Sequence, residues 1–234
     1  FHIKQSTLFD KIRHLDLYVP AEFVSAQLDA VLGDLDVRAT KTGFLGSAAT
    51  VGVVAEAAAA GRLANLVVDP VLVAATGRAM FGPEVQGAYA DALLPRARVT
   101  TPNRVEAGLL VGRALATVAD MEAAAVELLD LGLEAVVVKG GDAEDEGDRS
   151  IDVLATRGGV VRFELPRVDT PNDHGSGCTF AAAIAARLAR GDDVSTAVRT
   201  AKSFVHRALA GARRWRVGAG HGPVDAFGWD APLG

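Results

Sequence analysis

Residues 63–73 read LANLVVDPVLV, an almost unbroken apolar run that is interrupted by one acid, Asp69, and turns at Pro70. A short run with valines side by side fits a strand buried on both faces, since a half-exposed strand would show a polar residue at every second position. Upstream, Ser47 is placed to cap a helix over AATVGVVAEAAAAG (48–61), which Gly61 closes. Before it, PAEFVSAQLDAVLGDL (20–35) has Pro20 at a first helical turn and sets Val24, Leu28 and Val31 on one face, and VRATKTGFLG (37–46) follows as a candidate strand. Downstream come a helix near Pro83 to Leu94, the strand ARVTTPN (97–103), a helix from Asn103 to Val111, the helix TVADMEAAAVELLDLG (117–132) and the strand EAVVVKGG (134–141). Buried strands separated by helices predict a mostly parallel sheet covered on both faces, so the fold class is α/β.

After this series the rhythm changes. DAEDEGDRS (142–150) holds five acidic residues and reads as a solvated connection, and IDVLATRGGVVRFEL (151–165) alternates with period two around Gly158 and Gly159, which predicts a β-hairpin. The whole chain has 234 residues, 50% hydrophobic and 23% charged, with a net charge of -5, which suits a single domain with a large core. Without a basic stripe there is no electrostatic footprint for nucleic acid or for anionic membranes, so small molecules are the expected partners. One cysteine cannot form an internal disulfide, and no charged segment followed by an apolar one opens the chain, which makes the cytoplasm the expected compartment. The apolar stretch 48–75 is broken by Glu56, Arg62, Asn65 and Asp69, too often for a spanning helix.

Polar residues that a buried strand does not need collect where strands end: Asp69 after LVV, Thr101 and Asn103 after RVT, Lys139 after AVVV. Ligands of open parallel sheets bind outside those carboxyl ends, so one site drawing on several loops is expected. DHGSGC (173–178) leads into an apolar helix face of Thr179, Phe180, Ile184 and Leu188, which puts Gly175, Ser176, Gly177 and Cys178 at a helix amino terminus. Free N–H groups there, with glycines that admit close approach, suit a phosphoryl group. Lys139, followed by Gly140 and Gly141, offers a point charge to further phosphates, and Asn103 with Glu106 offers oxygens to a magnesium ion or its waters. The set points to phosphoryl transfer from a nucleotide, although neither GxxxxGK[ST] nor GxGxxG occurs. Plainer readings stand beside these. Asn103 and Glu106 have the spacing of a capping box, Lys139 of an exposed strand end, and Asp69 with Pro70 of a turn. Cys178 reads either as a small buried hydrophobe or as a helix-start thiol with a pKa below the usual value of about 8.5.

VVDPVLVAATG (67–77), TTPNRVEAGLLVG (100–112), AVVVKGGD (135–142), RVDTPNDHGSGCTFAAAIAARLARG (167–191) and GAGHGPVDAF (218–227) together resemble, in order and spacing, the hydroxymethylpyrimidine phosphate kinases of the ribokinase-like superfamily. The resemblance runs from about Val19 to Phe227. It implies a three-layer α/β/α sandwich with a small β-hairpin, and ATP- and magnesium-dependent phosphorylation of 4-amino-5-hydroxymethyl-2-methylpyrimidine and then of its monophosphate; a homo-oligomer is expected, with a dimer favoured. By position it makes Gly175, Ser176 and Gly177 the anion hole and Cys178 the base. Asp69, Asn103 and Glu106 become ligands for magnesium and phosphates, Lys139 with Thr101, Gly140 and Asn103 the nucleotide contacts, and Phe44 and Val71 walls of the pyrimidine pocket, where the family usually has Met for Phe44. The family opens with a strand and a glycine-rich segment resembling AGSDPSGGAGIQAD, which FHIKQSTLFDKIRHLDL (1–17) does not match, so residues 1–234 are expected to form one such domain lacking its front. Two other readings remain open: a pyridoxal kinase of the same fold, and a non-catalytic protein that keeps the pyrimidine or nucleotide crevice. Cys178 favours the first, since sugar kinases of the superfamily usually place Asp there.

Overall fold

The computed structural model describes residues 19–74, 79–141, 145–218 and 220–229, so the opening segment 1–17 lies outside the described residues. The elements are α1 (Ala21–Asp34), β1 (Lys41–Thr42), α2 (Ala48–Ala59), β2 (Val67–Val68), α3 (Pro83–Gly87), β3 (Val99–Thr100), α4 (Arg104–Val111), α5 (Val118–Leu129), β4 (Ala135–Val138), β5 (Arg149–Thr156), β6 (Gly159–Pro166), α6 (Ser176–Ala189) and α7 (Val194–Ala212). The six strands lie in the order β1-β2-β3-β4-β5-β6. β1 to β4 run parallel, and β5 and β6 are antiparallel additions. The hairpin is therefore not an appendage: its first strand pairs Ala135 with Thr156 and Val138 with Val153, extending the main sheet.

The valine runs work as the alternation of a strand requires. Val68, Val136 and Val138 face one core with α2, α3 and α5, whereas Val67, Ala135 and Val137 face a second core with α6 and α7. Each fully buried aliphatic side chain contributes roughly 1.5–3 kcal/mol, so a strand buried on both faces anchors two helical layers at once. Local chemistry sets the helix starts. Ser47 Oγ accepts the Thr50 N–H at 3.1 Å, and Thr117 and Asp120 form a reciprocal capping box.

Three expectations are corrected. In α1 the inward residues are Leu28 and Leu32, one turn apart, which leaves Val31 47% exposed, off the packed face. The helix expected from 83 to 94 is α-helical only to Gly87, then widens into a π-type turn (Ala88–Leu93) and tightens into a 3-10 turn (Leu94–Arg96) around Pro95, whose ring cannot continue an α-helix. The acidic connection is not wholly solvated. Residues 142–144 lie outside the described residues, but Glu146 turns inward to accept the N–H groups of Gly141 and Ile151, each at 2.8 Å. Among the described residues no helix is long and apolar enough to cross a membrane.

Candidate active site

The carboxyl ends of β1 to β4 meet the start of α6. Asp69, just past β2, is buried, and its Oδ1 accepts from Lys139 Nζ at 2.9 Å and from Thr101 Oγ1 at 3.2 Å. Its Oδ2 lies 3.8 Å from Lys41 Nζ. Burial alone would lower the Lys139 pKa, but Asp69 and Glu106 beside it carry it above its ordinary value, so the ammonium is held charged. Thr101 differs from the expected nucleotide contact: its hydroxyl is buried behind Asp69 and fixes that carboxylate instead.

Asn103 and Glu106 start α4. Asn103 Oδ1 accepts the Glu106 N–H, Glu106 Oε2 accepts the Asn103 N–H, and Oε1 reaches across to the Leu72 N–H, at 2.9, 2.9 and 3.0 Å. This is a complete capping box, with an added tie to the loop after β2. Burial pushes the Glu106 carboxyl up, against the pull of Lys139 and the two N–H groups. No group of three or more His, Cys, Asp or Glu side chains able to hold a metal ion occurs among the described residues.

The start of α6 is built differently. Gly175, its N-cap, has φ +85° and no side-chain cap. A left-handed conformation there costs other residues about 1–2 kcal/mol, which explains the glycine. The Ser176 N–H turns back to Asp173 O at 3.1 Å, while the N–H groups of Gly177 and Cys178 meet no protein acceptor among the described residues. A Cβ on Gly177 would lie 3.1 Å from Lys139 Nζ, so its absence lets the lysine come up against this turn. The loop is braced from the C-terminal side. His174 N–H donates to Gly222 O, Val224 N–H to His174 O, and the Asn172 amide to the carbonyls of Ala212 and Trp215. A Cβ at Gly222 would lie 1.9 Å from Asn172 Oδ1, so GHGPV needs its second glycine to dock.

Cys178 is the third residue of α6 and its side chain is exposed. Its pKa departs from the expected lowering. Desolvation by its surroundings and then the Asp69 charge push the thiol up, with Lys41 and Lys139 opposing them. A helix start favours a thiolate, but lost hydration and two neighbouring carboxylates favour the thiol.

Beside the turn lies a cavity of about 300 Å³ whose lining includes Asn103, Lys139, Ser176 and Gly177 as well as the apolar Phe180, Val205 and Leu209. Gly140 gives its N–H to Asp152 Oδ1 at 3.0 Å, and a Cβ there would sit 2.0 Å from Ile151 O, so it shapes the turn and offers no donor to a ligand. Asp152 in turn pairs at 3.0 Å with Lys202, and both side chains are buried. On the other side of Asp69, Phe44 packs against Phe81 with centroids 5.4 Å apart, and Val71 sits half-buried on the loop after Asp69. Three residues join the site without having been expected: Lys41, Tyr89, whose hydroxyl donates to Gly43 O at 3.3 Å, and Asn172. Lys41 carried the same signal as Lys139, a lysine and a glycine at a strand end; the other two show no signal in the sequence.

The phosphomethylpyrimidine kinase family profile matches residues 11–225. The chain belongs to this family. Hydroxymethylpyrimidine/phosphomethylpyrimidine kinase of Rhizobium meliloti is 44% identical over 89% of this chain and 78% of its own length, and the Salmonella typhimurium protein of that name is 40% identical over 89% and 78%. Among solved structures, an ADP complex of Bacillus subtilis pyridoxal kinase superposes with TM-score 0.82 at 34% identity, covering 89% of this chain and 77% of that one. The phosphomethylpyrimidine kinase of Clostridium difficile 630 gives 0.71 at 28%, covering 82% and 77%. These likenesses bear out the ribokinase-like α/β fold and membership of a phosphotransferase family.

Proposed function

We propose that the protein transfers the γ-phosphoryl group of ATP to the hydroxymethyl group of 4-amino-5-hydroxymethyl-2-methylpyrimidine, and then to the resulting monophosphate, as a step in thiamine biosynthesis. One observation carries the reading: an uncapped helix start presents two open N–H groups and a cysteine beside a buried Asp69–Lys139 pair, in a chain 44% identical to a kinase named for this reaction. ATP lies in the cavity of about 300 Å³, with its base against the apolar end and its phosphates toward Lys139. The γ-phosphoryl group rests on the N–H groups of Gly177 and Cys178, whose donors already point where its charge develops. Cys178 Sγ, as a thiolate, takes the hydroxymethyl proton as that oxygen bonds to phosphorus, and the bond to the ADP oxygen breaks with its electron pair leaving on ADP. Two buried carboxylates, with no group of three among the described residues, fit a magnesium ion that would keep most of its waters. Asp69, whose Oδ2 faces only the more distant Lys41, would hold it through those waters, with both Glu106 oxygens already taken by backbone N–H groups, and it would supply charge neutralisation of the phosphates.

The pyridoxal kinases share the fold closely, so the acceptor has to be tested directly. A coupled ATP-consumption assay of the full-length protein with the hydroxymethylpyrimidine, pyridoxal and ribose is expected to show turnover with the pyrimidine well above the other two. Turnover with pyridoxal alone, or with none of them, rejects the proposal.

A further inference from the structure

Asp69 stands between two lysines that are not equivalent. Lys139 is bonded to it at 2.9 Å, belongs to the loop after β4 and lines the nucleotide cavity. Lys41 comes from β1, on the opposite side of β2 in the sheet, and does not line that cavity. At 3.8 Å from Oδ2 it is within ion-pair range of Asp69 but beyond hydrogen-bond range, so its three donors are not consumed there, and its side chain keeps 22% of its exposure. The ammonium folds over Gly43, where a Cβ would lie 2.8 Å from Nζ. Gly43 is fixed by the Tyr89 hydroxyl, and Phe44 follows with its ring against Phe81. One short segment thus sets an apolar ring and an uncommitted cation on either side of a pinned glycine, on the side of Asp69 away from the nucleotide.

A neutral alcohol has no use for a cation beside its ring, whereas a phosphate ester of the same alcohol brings about two negative charges at neutral pH. We propose that Lys41 is a specificity-determining residue that receives the phosphate of the monophosphate acceptor, so that the second phosphorylation depends on it more than the first. This rests on the pyrimidine kinase reading above. In the second step a phosphate oxygen of the acceptor forms the new bond to the γ-phosphorus, and the bond to the ADP oxygen breaks with its electron pair leaving on ADP. The dianionic acceptor brings no proton to that bond, so the thiolate of Cys178 has nothing to remove. Lys41 instead offsets the repulsion between two phosphates.

The test is the ratio of kcat/KM for the monophosphate to kcat/KM for the hydroxymethylpyrimidine, in full-length wild type, Lys41→Met, Lys41→Arg and Cys178→Ala. Lys41→Met is expected to lower the ratio about ten- to a hundredfold, as loss of a charged contact does. Lys41→Arg, which keeps the charge, is expected to hold the ratio within about fivefold of wild type and guards against a folding defect. Cys178→Ala is expected to raise it. If Lys41→Met lowers both reactions by the same factor, Lys41 merely balances Asp69 and the inference is overturned, while the kinase reading stands. If wild type phosphorylates neither acceptor, the kinase reading itself has failed.

Discussion

Two helices begin within the same crevice, and both were legible in the sequence as places to hold a ligand. The start of α4 closes on itself: the Asn103 and Glu106 side chains take each other's backbone N–H groups, and the spare Glu106 oxygen takes that of Leu72. The start of α6 stays open, with Gly175 as a cap that offers no side chain and the N–H groups of Gly177 and Cys178 unspent among the described residues. Similar spacing and similar position therefore give opposite hydrogen-bonding states, which the proposed function turns into opposite roles. A helix start saturated by its own residues fixes a loop, and one left open by glycine binds an anion. Damage at α4 should be read in stability, and damage at α6 in rate.

The largest effect is expected at the open end. Cys178→Ala should reduce kcat for the hydroxymethylpyrimidine by about a hundred- to ten-thousandfold, the usual contribution of a general base, with nucleotide affinity little changed because the cradle is backbone. Steady-state rates and calorimetric titration with ADP check both halves, and an unaltered kcat would remove the base role. The raised thiol pKa adds a pH signature. A group that holds its proton more tightly yields less thiolate at neutral pH, so wild-type kcat should climb as pH rises into the alkaline range, and the climb should be missing in Cys178→Ala.

Lys139→Met comes next and joins the two ends, since it removes a cation from the proposed nucleotide cavity and leaves buried Asp69 with only Thr101 and the more distant Lys41. Loss of one partner of a buried pair costs about 3–5 kcal/mol, so both the Tm and the affinity for ADP should fall. Unchanged ADP affinity would take Lys139 out of the nucleotide site. Glu106→Ala, at the closed end, leaves the buried Leu72 N–H and the half-buried Asn103 N–H without acceptors and should destabilise the fold by roughly 2–4 kcal/mol in denaturant titrations. The smallest effect is expected for Asn103→Ala, about 1 kcal/mol of lost capping with kcat within a few-fold of wild type. A rate loss there as large as that of Cys178→Ala would erase the contrast between the two starts.

What the sequence showed and what it hid divide along the range of the interactions. Ser47, Asn103 and Thr117 cap helices through contacts within four residues, and the valine runs declare their two-sided burial by lacking alternation. The glycine turn before Cys178 was legible for the same reason. Tyr89 reaches Gly43 over 46 positions and Asn172 reaches Trp215 over 43, and no local pattern records such contacts. The direction of the Cys178 shift was hidden for a related reason: the helix start is local, but the burial and the Asp69 and Glu106 charges that raise the thiol come from the end of β2, the start of α4 and the packing around them. Glu146 looked like one acid among five and proved to be buried against backbone donors, which becomes visible only when β5 folds back on β4.

The contrast between the two starts is tested most directly by following backbone amide chemical shifts while full-length protein is titrated with ADP and orthovanadate, a mimic of the phosphoryl group in transfer. The amides of Gly177 and Cys178 are predicted to shift strongly when both ligands are present, while the amide of Glu106, already bonded to Asn103, stays nearly still. A large shift at Glu106 with none at Gly177 and Cys178 would place the transferred group at the wrong helix and contradict the account.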